Sequence, residues 1–193
     1  MANIGLVYPV AALLTESPSG VPSYADGFVV GKAVSASMSI DFIEATLYAD
    51  NTVAERVKEF KQGKLTFNSD DLTHEVQSKL LKRTLSNSGS GSENNMMTAK
   101  IDDTPPYVGF GFYGTVLRSN VRLARAIWLY KCQFSPPNVD FSTRGDNIEF
   151  KTPTIEGVVM ALADGRYMDD AIFPTEAEAR EWLNTQAGIE PEE

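Results

Sequence analysis

The chain has 193 residues, 42% hydrophobic and 22% charged, with a formal net charge of −9. That length suits one globular domain with a substantial core, and no apolar run approaches the roughly 20 residues that would span a bilayer. The acidic balance argues against a grip on nucleic acid through phosphates, which needs clustered Lys and Arg, and a single cysteine, Cys132, excludes an internal disulfide.

The start, Met1-Ala-Asn-Ile-Gly, does not read as a secretory signal. Ile4 to Val10 reads as a short strand. The stretch 11–26, with its Pro, Ser and Gly, reads as an extended arm or loop. Phe28 to Ile40 alternates in part, with Val30, Lys32, Val34, Ala36, Met38 and Ile40 on one face. Ala45 to Asp50 and Val53 to Phe60 read as a strand pair around the Asp50-Asn51 turn, and Lys64 to Asn68 as a further strand. A helix is predicted over Leu72 to Leu85, with Asp70 and Asp71 at its start and Lys79, Lys82 and Arg83 near its end, complementing the helix dipole. Residues 86–97 read as a flexible loop.

Three long β segments follow: Tyr107 to Val116, Val121 to Phe134 and Ile148 to Leu162. They exceed the usual strand of about five or six residues. In the second, Ala124, Ala126, Trp128, Tyr130, Cys132 and Phe134 share one face. The other face carries Leu123, Arg125, Ile127, Leu129 and Lys131. This mixed face fits a subunit interface, where apolar groups pack and cations find partners. It fits equally a two-sheet core with Arg and Lys snorkelling at the rim. Asp164-Gly165 predicts a tight turn into Arg166 to Phe173. Thr175 and Glu178 form a capping box before a helix that buries Ala179, Trp182 and Leu183. Residues 188–193 form an acidic tail, and the whole of 1–193 reads as one domain.

Gly109-Phe-Gly111-Phe-Tyr-Gly114-Thr-Val116 matches the string G-x-G-x-x-G-x-V of nucleotide loops. That reading needs a helix after the motif and an acid about 20 residues on; β pattern follows instead, and Phe134 stands near that place. The better reading is close packing at strand glycines. His74 is the only histidine, so no Ser-His-Asp triad forms without it, and it reads as a surface residue. The acid pairs Asp70-Asp71, Asp102-Asp103 and Asp169-Asp170 read as turn punctuation rather than a metal or acid/base site. No catalytic, cofactor or metal constellation emerges. Cys132 reads as a buried, inert thiol.

A series of segments resembles the major tail proteins of long-tailed phages infecting Gram-positive bacteria. They are Asn3-Ile-Gly-Leu-Val-Tyr-Pro-Val10, Leu47-Tyr-Ala-Asp-Asn-Thr-Val-Ala-Glu55, Phe67-Asn-Ser-Asp-Asp-Leu72, Pro106-Tyr-Val-Gly-Phe-Gly-Phe-Tyr113, Arg125-Ala-Ile-Trp-Leu-Tyr-Lys131 and Ile148-Glu-Phe-Lys-Thr-Pro-Thr-Ile-Glu-Gly157. The resemblance lies in the series, and it covers almost the whole chain. It implies a mainly β fold (α+β), two packed antiparallel sheets in a sandwich or barrel with one flanking helix and a short C-terminal helix. It also implies a non-enzymatic virion subunit, polymerising as stacked hexameric rings into the tail tube through which DNA is ejected.

On that reading the partners are other copies and the tape measure, distal tail and terminator proteins. DNA passes without specific binding, there is no membrane insertion, and the subunit resides in the host cytoplasm during assembly. Ring contacts are then expected from Leu123, Arg125, Ile127, Leu129 and Lys131. Ring-to-ring contacts are expected from Glu55, Arg56, Lys58, Glu59 and Lys61. Asp146, Glu149 and Glu156 are candidates for the bore, where acids repel the duplex. The competing reading is a carbohydrate- or cell-wall-binding β-sandwich, which needs exposed aromatics; Trp128 in mid-strand and Trp182 in a helix stripe both read as buried.

Overall fold

Alternating apolar and polar residues run through most of this chain, and in the computed structural model they become strands. The structure describes residues 2–17, 21–50, 52–87, 95–138 and 152–190. Eleven strands and two helices occupy them: β1 (Ala2–Asn3), β2 (Val7–Glu16), β3 (Pro22–Val29), β4 (Ala33–Ala49), β5 (Thr52–Ser69), α1 (His74–Leu81), β6 (Thr84–Asn87), β7 (Asn95–Thr98), β8 (Val108–Arg118), β9 (Val121–Phe134), β10 (Thr154–Met160), β11 (Met168–Phe173) and α2 (Glu176–Ala187). The fold is mainly β with two helices, the class expected from the sequence.

Nine strands form one antiparallel sheet in the order β3-β2-β8-β9-β10-β5-β4, with β1 added on β8 and β11 on β9. Strand β9 is the branch point. Its first half, Ala124 to Leu129, pairs with β11, and its second half, Lys131 to Phe134, pairs with β10. The sheet folds over on itself: Phe67 of β5 meets Phe110 of β8 at a ring-centroid distance of 5.3 Å, although two strands lie between them in the ladder. Phe134 closes on Phe110 at the same distance. These rings, with Leu65, Leu129, Ile155 and Val159, form the main core, and Leu80 and Leu81 of α1 cover part of it. A second core lies on the other side of β8 and β9, where Ala179, Leu183 and Ala187 of α2 pack on Trp128, Ala124 and Ala126.

The segment 11–26 is not an extended arm. Its described residues belong largely to β2 and β3, paired from Val10↔Val29 to Glu16↔Pro22. Pro22 is tolerated because β3 is an edge strand and Pro22 is its first residue. The run from Phe28 to Ile40 breaks at Gly31, whose φ of +137° suits only glycine, and an added Cβ there would meet Ser69 Oγ at 2.7 Å. Helix α1 is shorter than the pattern over Leu72 to Leu85. Thr73 caps it, accepting from Val76 N at 3.3 Å, and Lys82 in the left-handed conformation ends it. Asp70 instead accepts from the backbone N–H groups of Lys32 and Asp71, which hold its carboxyl below the usual aspartate range.

The stretch 86–97 is not wholly loop, because a two-stranded ribbon pairs Thr84–Asn87 with Asn95–Thr98. The expected strand from Ile148 is seen as β10; residues 148–151 lie outside the described residues. The turn at Asp164-Gly165 forms as expected, closed by Leu162 N donating to Arg166 O at 2.8 Å. The chain beyond it continues onto β9 rather than back along β10. Thr175 caps α2 by accepting from Glu178 N.

Candidate functional site

Strands β4 and β5 are 17 and 18 residues long and pair from Ala33↔Ser69 to Ala49↔Thr52. The sequence divides this hairpin into shorter pieces because Lys61-Gln62-Gly63 looks like a break. In the structure a register shift between Asp41 and Phe42 absorbs the irregularity, and pairing continues. Every side chain from Asp41 to Tyr48 and from Thr52 to Glu59 is exposed. The last nine residues of β4 therefore carry the hairpin about 30 Å beyond the core. Its root is fastened by Phe60, stacked on Tyr167 at 4.3 Å.

The two faces of the hairpin differ. Direct pairing puts Phe42 opposite Phe60, Glu44 opposite Lys58 and Thr46 opposite Arg56 on one face. There Glu44 takes both Arg56 (2.5 Å) and Lys58 (3.2 Å), and Lys58 also lies over the Phe42 ring. The Arg56 bond, then the Lys58 bond, holds the Glu44 carboxyl below the usual glutamate range. The other face puts Ile43 opposite Glu59, Ala45 opposite Val57 and Leu47 opposite Glu55. Ile43, Leu47 and Val57 are each half or more exposed. Glu55 and Glu59 make no ion pair among the described residues. The predicted ring-to-ring set is thus divided: Arg56 and Lys58 are engaged within the hairpin, Glu55 and Glu59 stand on the opposite face, and Lys61 is exposed at the register shift.

The mixed face of β9 does not run unbroken. Strict alternation fails where Val108 pairs Cys132 but Phe110 pairs Leu129, so β9 holds one extra residue there. Cys132 and Phe134 therefore turn to the main core, away from Ala124, Ala126, Trp128 and Tyr130, with which alternation groups them; Trp128, Leu129 and Tyr130 are consecutively buried because β9 has a core on each face. Leu129 is fully buried in the same core as Cys132 and Phe134, so it is not a surface contact of this chain. Past the bulge Lys131 is displaced from the face of Arg125 and Ile127, and it pairs with Glu16 at 3.0 Å. Arg125 forms a two-pronged pair with Asp170, which raises its pKa further. Leu123 and Ile127 are half-buried.

Beside them the folded sheet does not close. A cleft of about 360 Å³ opens there, lined by Leu6, Val34, Ala36, Phe112, Val116 and Ile127 among others, with Arg125 at its wall.

The glycine motif is explained by packing. A Cβ at Gly109 would lie 2.3 Å from Trp128 Cζ2, one at Gly111 2.5 Å from Trp128 Cε3, and one at Gly114 2.2 Å from the Gly5 carbonyl oxygen. The first two glycines make room for the indole, not for a phosphate. Asp169 accepts a hydrogen bond from the Tyr130 hydroxyl at 2.5 Å, and burial followed by this bond raises the Tyr130 pKa. Asp103 accepts from Lys100 N, which is turn chemistry as expected. Cys132 is buried, and burial pushes its thiol pKa up. Among the described residues no group of three or more His, Cys, Asp and Glu is arranged to hold a metal, and no helix is long and apolar enough to cross a membrane.

Of the bore candidates, Glu156 is exposed and pairs with Lys64 at 3.0 Å across β10 and β5. Its neighbours on that outer face include Ser35, Ser37, Ser39 and Thr66, a polar surface with few charges. Asp146 and Glu149 lie outside the described residues. No protein-family model matches the chain, and no curated protein matches it.

Proposed function

We propose that the protein is a structural virion subunit, the major tail (tail tube) protein of a long-tailed phage infecting Gram-positive bacteria. Copies join into hexameric rings, and rings stack into a tube that conducts DNA during ejection. The observation that carries the reading is the β4–β5 hairpin with its bare edge. The outer edge of β4 pairs with no other strand among the described residues. Its 17 residues contain no Lys, Arg or Pro, and Asp41 and Glu44 are their only charges. An unguarded edge of that length is a template for another chain, and natural proteins blunt such edges unless something covers them. Closed assembly covers it by symmetry.

The acidic balance and the polar outer face around Glu156 fit a wall past which DNA slides, since each phosphate contact from Lys or Arg would add affinity. On this reading the protein is not an enzyme, uses no cofactor and meets the tape measure, distal tail and terminator proteins at the tube's centre and ends. The two tryptophans give the carbohydrate-binding alternative no platform: Trp128 is fully buried, and Trp182 packs on Phe173 at 5.7 Å.

The double substitution Arg56→Glu and Lys58→Glu tests the role of the hairpin. It removes both partners of Glu44 and sets three carboxylates together on one face. Rings are expected to persist by electron microscopy while tubes shorten or vanish. Tubes of normal length from this variant would remove the Arg56–Lys58 face of the hairpin from the stacking contact.

A further inference from the structure

We infer that the open cleft between β4 and the β8–β9 pair is the seat for the apolar, acidic face of a second copy's hairpin. This rests on the assembly proposed above and names the surface that receives it.

The cleft is a continuation of the core rather than a separate pocket. Phe112 and Ile127 pack against the main core and also line the cleft, and Val116, although lining it, is only 1% exposed. The lining is mixed, with Ser35 and the Gly5 and Gly114 backbone beside the apolar side chains, and its apolar part suits an apolar insert. Its volume of about 360 Å³ lies within the size range of small-molecule sites. Such sites also present a few free polar groups that orient the ligand, whereas the one charged group here, Arg125, is committed to Asp170. A row of aliphatic side chains fits this lining better.

The hairpin supplies that row. Ile43, Leu47 and Val57 stand exposed on one face, while the opposite face is occupied with its own ion pairs. Charge agrees with the pairing. Strand alternation places Arg118 on the cleft side of β8, two residues beyond Val116 and Gly114 in step, and Arg118 makes no ion pair among the described residues. Glu55 and Glu59 flank the aliphatic row and likewise make no ion pair among the described residues, so the two sides carry charges of opposite sign that suit each other.

The insert must come from another copy. Val34, at the cleft, and Leu47, on the hairpin, lie on the same continuous strand, 13 residues apart and so about 40 Å. A strand of that length holds its own two ends apart. The contact is therefore heterologous, cleft to hairpin, and propagates from copy to copy as a ring or filament requires.

Cross-linking tests this in the full chain. A tagged copy carrying Leu47→Cys is mixed with an untagged copy carrying Val34→Cys under assembly conditions, and a short bis-maleimide is added. Cys132 is buried and stays silent. The expected product is a tagged–untagged dimer that disappears when Thr46→Cys, on the opposite face, replaces Leu47→Cys. Arg118→Glu is expected to lose both dimer and tubes, and adding Glu55→Lys with Glu59→Lys to restore them.

Rings or tubes by electron microscopy without the Leu47–Val34 product, or with equal product from Thr46→Cys, would overturn the inference and leave the assembly reading standing. Absence of any assembly would overturn both. A small molecule retained in the cleft of assembled, un-cross-linked protein would replace the hairpin as the occupant and overturn the inference.

Discussion

Removing the outer half of the β4–β5 hairpin is expected to abolish tubes and leave a folded subunit. In the test variant an Asn-Gly turn replaces residues 44–58, joining Ile43 directly toward Glu59 in a two-residue hairpin of favoured geometry. No residue of the removed stretch belongs to either core, and the Phe60–Tyr167 stack that fastens the root is retained. The ion pairs lost are those of Glu44 with Arg56 and Lys58, all well exposed, and exposed pairs contribute little. The thermal midpoint should stay within about 4 °C of the parent, which for a chain of this size is on the order of 1 kcal/mol. Electron microscopy should find no tubes. A variant that no longer unfolds cooperatively would mean that the hairpin supports the fold. Tubes as long as the parent's would mean that it does not connect subunits.

Alanine at Gly109 or Gly111 should destabilise the fold strongly, while alanine at Gly5 should not. The added methyl at Gly109 meets Trp128 Cζ2 at 2.3 Å and Tyr24 Cε1 at 2.6 Å. At Gly111 it meets Trp128 Cε3 at 2.5 Å and Leu183 Cδ2 at 2.7 Å. Trp128 is fully buried and edge-on to Tyr24, so its ring has little freedom to withdraw. Overpacking of this kind costs about 1–3 kcal/mol, with a fall of roughly 2–4 °C in the thermal midpoint per kcal/mol. Nothing lies within 4 Å of a Cβ at Gly5, which makes Gly5→Ala the control. The same scans with added ATP or NAD should not move the parent's midpoint. Wild-type stability in Gly109→Ala together with a nucleotide-induced rise in the parent would restore the phosphate-loop reading that the packing displaces.

Strand content was legible because alternation is local. Val121 to Phe134 and the Thr175 cap of the last helix were visible as pattern and motif. The branch at β9 was not legible, because one inserted residue near Leu129 reverses which side chains face inward, and a bulge leaves no local signature in an apolar run. That single residue turned Cys132 and Phe134 into the main core and separated Lys131 from Arg125, whereas Leu129 stays in step with Ile127 and is buried because that face runs on into the main core. Strand β3 was hidden by Pro22 and the polar residues around it, which an edge strand accepts. The length of the hairpin was hidden by Gly63, whose lack of a side chain reads as a break. In the structure a Cβ there would come within 3.1 Å of Val159 Cβ, so this glycine serves close packing between neighbouring strands. The cleft is formed by β1–β2, β4, β8 and β9 together, and residues so far apart in sequence give no joint signal before the chain is folded.

The most direct test of the account is electron microscopy of the purified full-length protein at high concentration, alone and with neighbouring tail components, alongside light scattering of the same samples. The expected result is closed rings that stack into hollow tubes, with the outer edge of β4 covered by an adjoining copy and a bore poor in Lys and Arg. A monodisperse monomer under every one of these conditions would contradict it.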